Sequence, residues 1–478
     1  MTGLTTVEAA LAELERGDVV ARIWRRDHTV WSPEPTGISD RLGWLSVTET
    51  IRGQVSGLQT LSQQVRAEGV RHVVLLGMGG SSLASEVMRR TFGSKAGYPE
   101  LHVLDSTLPS AVSLIARSVD IAKALFVVSS KSGTTAEPNL LYRYFRMQAE
   151  REVGVAKAGR CFIAITDPGS PLAALGRSQG FREVFENDPT IGGRYSALSY
   201  FGMVPAALIG VDIGLLLQRA DLMREWCSTD VAVRENPGAL LGTVIGTLAS
   251  KGRDKLTMMT SPSIASFGLW MEQLLAESTG KDRRGVVPVA DELPCSPEAY
   301  GADRVFVHVR LERDDNDQQD GMVKELEKAG HPVFRIDLTD AYDLGAEFFR
   351  WEFATAVAAS ILHVQPFSQP HVQSAKDATN RLLAEFEKTG TMPSANGSDS
   401  FESLLSKASE GKYLAIMAYV RQTPEVDRAF AEFRRAVMES YRIATTLGYG
   451  PRYLHSTGQL HKGGPDTGLF LHIVEQQD

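Results

Sequence analysis

Seven consecutive residues, Ser129-Ser130-Lys131-Ser132-Gly133-Thr134-Thr135, crowd hydroxyls, backbone N–H groups and one lysine between an apolar run and a helical one. That set suits a phosphate, because N–H groups at a helix start and the helix dipole favour an anion by about 0.3–1 kcal/mol at an exposed site. A solvated cap is the plainer alternative. The P-loop spacing Gly-x4-Gly-Lys-Ser/Thr is absent here. It also fails at Gly280-Lys281, where Leu275 and Asp282 occupy the required places. A second turn, Gly77-Met78-Gly79-Gly80-Ser81-Ser82, also follows a strand and opens a helix. Ser82 stands where the dinucleotide fingerprint needs its third glycine, so a smaller anion or a sugar hydroxyl fits better. Asp105 ends the next strand, without the spacing that would make it a clear ribose partner.

Other residues point to proton chemistry. Arg194, behind Gly192-Gly193, could face a developing oxyanion, since a guanidinium keeps its charge and donates as a fork; a structural ion pair is the alternative. Gln273 and Glu277 stand four apart and share one helical face. At a helix C-terminus the dipole raises a carboxyl pKa, which could poise Glu277 as a base; an ordinary solvated glutamate is the other reading. Lys376 follows the stretch from Gln365 to Gln369. His455 and His461 lie in HSTGQLHKGG, without the helical spacing or intervening carboxylate of a metal site, so no metal is expected. Lys281, Arg283 and Arg284 read as a solvated loop.

The elements that must hold these groups alternate between apolar strands and helical segments. Residues 1–45 read as an arm, with Trp24, Trp31, Pro33 and Pro35 as anchoring points. In 46–225, HVVLL, LHVL, ALFVVSS, CFIAIT and REVFE are strands separated by helical runs. In 226–392 the pattern recurs with KLTMMT, DRVFVHVRL and HPVFRIDL. Pro393 to Ser400 reads as a linker inside 393–478, a small α/β piece with strands YLAIMAYV and LFLHIV. The predicted architecture is α/β: two parallel sheets, each covered on both faces, plus that C-terminal piece.

Composition narrows the function. The 478 residues carry 50 Lys and Arg against 58 Asp and Glu, a net charge of −8, which argues against a nucleic-acid surface. Three dispersed cysteines, Cys161, Cys227 and Cys295, form no disulfide framework and read as buried thiols in a reducing compartment. The N-terminus shows no signal-peptide pattern. The longest apolar stretch, Phe201 to Leu217, is broken by Pro205 and Asp212. A cytoplasmic chain with no membrane partner is expected.

Taken in order, GMGGSS, SSKSGTT, GGRYS, EQLLAESTGK and PFSQPHVQSAK resemble the glucose-6-phosphate isomerase family, built from two sugar-isomerase (SIS) domains of flavodoxin-like three-layer form. The ending GPRYLHSTGQLHKGGPDTGLFL is most similar to the isomerase half of transaldolase/glucose-6-phosphate isomerase fusions. The resemblance implies interconversion of glucose 6-phosphate and fructose 6-phosphate by ring opening and proton transfer through an enediolate, without a cofactor. It implies Glu277 as the base between C1 and C2, Lys376 in ring opening, and Arg194 facing the enediolate. It implies Ser130, Lys131, Ser132, Thr134 and Thr135 as the phosphate loop, Gly79, Gly80 and Ser81 as the first sugar-contacting turn, and Gln273 and Gln369 as ligand contacts. The family's ring-opening histidine normally precedes the lysine and comes from a neighbouring subunit. Here the matching Leu454-His455-Ser456-Thr457-Gly458-Gln459 follows Lys376, which keeps His461 as a rival and opens a supply in cis. A homodimer, or fusion or association with a transaldolase, is the implied assembly. Isomerisation of another phosphosugar such as mannose 6-phosphate, amino transfer, and a non-catalytic sugar-phosphate sensor are the alternatives. Amino transfer lacks its glutaminase domain here. A sensor would not need Glu277 and Lys376 together.

Overall fold

The computed structural model describes residues 2–391 and 400–475, except for the side chains of 2–4 and of 372–377, 379, 380 and 383. The linker read at Pro393 to Ser400 lies, apart from Ser400, outside the described residues.

Five strands, β1 (His72–Leu76), β2 (Glu100–Leu104), β3 (Ala124–Ser129), β4 (Phe162–Thr166) and β5 (Glu183–Glu186), form one parallel sheet in the order β2-β1-β3-β4-β5. The strand pleat explains its two-sided burial. Val73 and Leu75 point into the main core, while Val74 and Leu76 point into a second apolar cluster on the other face. A second parallel sheet holds β6 (Lys255–Thr260), β7 (Val287–Val289), β8 (Arg304–Leu311) and β9 (Val333–Leu338), ordered β7-β6-β8-β9. A third, β10 (Tyr413–Tyr419), β11 (Ala444–Tyr449) and β12 (Gly468–Val474), has the order β11-β10-β12 and is also parallel. The α/β class is as the sequence reads. Strands β7 and β11 go beyond that reading.

In the first sheet the chain goes from β1 outward to β2, then crosses back past β1 to β3 and continues the other way. Such a reversal opens a crevice at the carboxyl ends of the strands. The Gly79–Ser81 turn and the Ser129–Thr135 loop both stand there. The N-terminal residues are more ordered than an arm: Thr2–Arg16 and Val19–Trp24 are helices. Trp24 donates its Nε1–H to the Cys227 carbonyl at 2.8 Å. Trp31 donates to the Ala356 carbonyl at 2.8 Å and meets Phe367 edge-on at 5.2 Å. Cys227 and Cys295 are buried, and burial pushes the Cys227 thiol up to about 12, whereas Cys161 is only half-buried. Among the described residues no helix is long and apolar enough to cross a membrane.

Trp31 thus ties the first residues to the loop at Phe367. Trp31→Ala removes a ring and a buried bond, so the urea midpoint should fall by the equivalent of about 3 kcal/mol. A change below about 0.5 kcal/mol, the range of an ordinary surface substitution, would show that this anchoring is idle.

Candidate active site

Arg194 sits in a one-turn helix, Gly193–Tyr195, after β5 and is 2% exposed. Its Nη1 donates to the carbonyls of Glu277 at 2.6 Å and Pro366 at 3.0 Å. Its Nη2 donates to Phe367 at 3.3 Å and Ser368 at 3.4 Å, and its Nε lies 3.4 Å from the Glu277 carboxylate. Glu277 belongs to the Phe267–Thr279 helix and is 5% exposed, so it is not the solvated glutamate that its residue type allows. Gln273, one turn earlier, donates Nε2–H to the Glu277 carboxylate at 3.1 Å and to the His455 carbonyl at 2.8 Å. Its Oε1 is buried without a partner, an acceptor available to a ligand hydroxyl.

Two glycines let the segments close on one another. Gly79 has φ +54°, and a Cβ there would overlap the His455 carbonyl. A Cβ on Gly80 would overlap the Gly193 carbonyl. Ser129 Oγ donates to the Ser81 carbonyl at 2.8 Å, joining the first turn to the hydroxyl loop.

That loop opens the 18-residue helix Ala136–Val153. Ser130 Oγ lies 3.1 Å from Thr135 Oγ1, and Ser132 Oγ 2.9 Å from Thr134 Oγ1; Ser132 and Thr134 are exposed. Lys131 differs from a free phosphate lysine: its Nζ is 2.5 Å from Asp167 and donates to the Pro189 carbonyl at 3.0 Å. Gln369 is exposed at the start of the Pro370–Thr389 helix, without a capping bond from its side chain. Lys376 is on that helix; its side chain lies outside the described residues. Asp105 is paired with Arg452 at 3.2 Å.

The two histidines separate clearly. His455 Nε2 is 2.8 Å from Glu137 Oε1, at the start of the Ala136–Val153 helix. An ionised carboxylate only accepts, so Nε2 carries the proton and Nδ1 is the free ring nitrogen. His461 is packed between the Tyr453 and Phe470 rings, and burial lowers its pKa to about 4. It is half-buried against those rings. The C-terminal segment therefore delivers His455 to Gly79 and Gln273 within one chain.

Several residues of the assembly escaped the sequence reading. Lys281 is 2% exposed rather than solvated, and donates to the Ser278 and Gln365 carbonyls at 2.9 and 2.6 Å. Its position at the C-terminal end of the Glu277 helix, where a cation is favoured, is the signal that could have found it. Gln459 donates to the Gly280 carbonyl at 3.0 Å and meets His371 Nδ1 at 2.9 Å. Glu137 and Gln459 carry no comparable signal in the sequence. Of the reactive groups whose side chains are described, the fold brings Arg194, Glu277, Gln273 and His455 together beside the Gly79–Ser81 turn.

A carboxylate and a guanidinium shielded from water, at the switch point of paired parallel α/β units, define an enzyme of the sugar-isomerase class. The phosphoglucose isomerase family model matches residues 46–290. Glucose-6-phosphate isomerases of Staphylococcus haemolyticus and Clostridium novyi are 28% and 27% identical to the chain. Those alignments cover 78% and 74% of this chain and 92% and 89% of the relatives. In fold it is similar to a hypothetical protein of Thermus thermophilus (TM-score 0.68, 23% identity, 80% of this chain and 98% of that one). It is also similar to a glucose-6-phosphate isomerase of Chlamydia trachomatis (TM-score 0.64, 18% identity, 80% and 86%). The chain belongs to the phosphoglucose isomerase family and is an aldose–ketose isomerase.

The packing of His461 has a pH signature. Its folded pKa is lowered to about 4 from 6.5. The unfolded chain therefore binds a proton first as the pH falls, and stability is lost between about pH 6.5 and 4, by at most about 3 kcal/mol. The drop in urea midpoint from pH 7 to pH 5 should be smaller in His461→Leu than in the parent. Equal drops would remove His461 from the acid response.

Proposed function

We propose that this chain interconverts glucose 6-phosphate and fructose 6-phosphate in the cytoplasm, with Glu277 moving the proton between C1 and C2. The observation that carries this reading is the shielded pair of Glu277 carboxylate and Arg194 guanidinium, 3.4 Å apart. The hydroxyls and N–H groups of Ser130, Ser132, Thr134 and Thr135 receive the phosphate at a helix N-terminus. With Lys131 held by Asp167, its charge acts on the phosphate from the flank of the loop.

His455 and Lys376 move a proton between the C1 hydroxyl and the ring oxygen to open the sugar. Glu277 then takes the C2 proton of the open aldose and returns it at C1. Negative charge grows on the enediolate oxygens as this happens. Arg194 is already ordered by four carbonyls and needs no reorganisation to oppose that charge. Gln273 orients the carboxylate and offers its free Oε1 to a sugar hydroxyl. Gln369, Gly79, Gly80 and Ser81 complete the sugar contacts in this reading.

The described residues of this reading lie in a single chain. A homodimer, or association with a transaldolase, is compatible with it and supplies none of the named groups.

A coupled assay from fructose 6-phosphate, run with EDTA, tests the reading. Wild-type turnover should persist in EDTA, and Glu277→Gln should lose about 10²–10⁴-fold in kcat. Near-normal turnover in Glu277→Gln would overturn the role of this carboxylate. Activity on mannose 6-phosphate alone would change the substrate and leave the base in place. Supply of His455 in cis is checked by co-refolding His455→Ala with Glu277→Gln: no activity should return. Recovery toward a quarter of wild type would mean that subunits share sites.

A further inference from the structure

Lys281 is buried, and no carboxylate of the described residues lies within 4.0 Å of its Nζ. An unpaired buried ammonium is costly, several kcal/mol even after relaxation, so such a residue calls for an explanation. Its two hydrogen bonds provide one. Ser278 is the neighbour of Glu277 at the helix end, and Gln365 begins the loop whose next three carbonyls hold Arg194. Arg194 and Lys281 thus join the same two segments from separate positions, Arg194 through Glu277 and 366–368, Lys281 through Ser278 and Gln365. Gln365 stiffens the loop further, since its Oε1 accepts from the N–H groups of Phe367, at 3.0 Å, and Ser368. The loop then enters the helix that carries Lys376.

We propose that Lys281 is a positioning residue that staples the end of the Glu277 helix to the 365–368 loop, fixing the Glu277–Arg194 geometry. Burial and the nearby Arg194 hold the Lys281 ammonium well below the usual lysine range. The proposal rests on the isomerase reading for its kinetic test and on geometry alone for its structural one.

Lys281→Met keeps the length and removes the donors. Its kcat should fall about 10²-fold, the scale of a small misplacement of reacting groups, with KM within about three-fold, because the phosphate loop is untouched. Hydrogen exchange at the Phe367 and Ser368 amides should quicken, while exchange at 130–135 stays as in the parent. Ethylamine should restore part of the kcat of Lys281→Ala, and sodium chloride at equal ionic strength should not. Unchanged exchange at Phe367 and Ser368, or a kcat within about three-fold of wild type in Lys281→Met, would overturn the staple. Should Lys281→Met not fold, Lys281→Arg, which keeps donors, is expected to hold loop exchange at the parental rate, and faster exchange would overturn the proposal. If the wild type converts no hexose phosphate, the isomerase reading fails, and the exchange experiment still decides the staple.

A separate observation concerns the opposite end of the first sheet. His72 on β1 is in register with Glu100 on β2, and His102 follows two residues later, so the pleat puts all three side chains on one face. Their ligand atoms lie within 4.8 Å of one another; His72 Nδ1 and His102 Nε2 are 3.2 Å apart, and Glu100 Oε2 is 3.7 Å from His102 Nε2. A Zn–N bond of about 2.0–2.1 Å spaces neighbouring ligand atoms of a tetrahedron by about 3.3 Å. Arg89, the nearby cation, is paired with Glu86 at 2.7 Å.

The geometry points to a three-ligand site for a divalent transition ion with an open fourth position, remote from Glu277 and structural in effect. Tag-free protein should take up one Co²⁺ per chain with the visible absorption of four-coordinate cobalt, and Zn²⁺ should displace it. His102→Ala should abolish the spectrum and leave isomerase turnover unchanged. Absence of the spectrum, or its persistence in His102→Ala, would overturn the site.

Discussion

Everything at this site depends on burying one guanidinium. Removing Arg194 from water costs several kcal/mol unless its donors are satisfied. Four backbone carbonyls and one carboxylate do this, and they come from the end of one helix and from a loop about ninety residues further on. The cation therefore fixes the relative position of two segments that the sequence leaves unconnected. A short carboxylate side chain could not have made this junction, because backbone carbonyls need donors. A lysine has fewer donors and no planar fork.

Close approach follows from that constraint. Arg194 can reach the helix end only if the Gly193 carbonyl lies against Gly80, where any Cβ would intrude. The His455 carbonyl likewise lies against Gly79 and accepts from Gln273, the residue that also orients Glu277. Glycine at these two places costs backbone entropy in folding. In return the turn after β1 becomes a hub touched by the Arg194 loop, the Glu277 helix and the C-terminal segment.

The parts legible in the sequence are those whose signal is local. Buried parallel strands are short apolar runs bounded by polar turns, which is why eleven-residue windows around Val73 or Phe126 announce themselves. Strand β7 is three residues with Pro288 at its centre, and β11 ends in Gly448 and Tyr449, so both read as connections. Lys281 begins the run Lys-Asp-Arg-Arg, which looks like a solvated turn, and Asp282 and Arg283 do adopt the left-handed turn conformation. Of these four only Lys281 is buried, and its acceptor Gln365 lies 84 residues away, beyond any local signal. Glu137 is similar: nothing near it in sequence indicates a partner 318 residues later.

That distant pairing has a consequence for the hydroxyl loop. Glu137 lies in the first turn of the helix after the hydroxyl loop, where its charge suits the helix dipole. Lys131, the loop's own cation, already faces Asp167. His455, from the C-terminal segment, engages Glu137 with its Nε2 at 2.8 Å. The same contact fixes the ring with Nδ1 free. One hydrogen bond thus couples the start of the Ala136–Val153 helix to the segment beside Gly79 and Gln273, and it exists because the C-terminal segment returns over Gly79. A histidine placed there by the same chain arrives with the fold, between the helix that follows the hydroxyl loop and the Gly79–Ser81 turn.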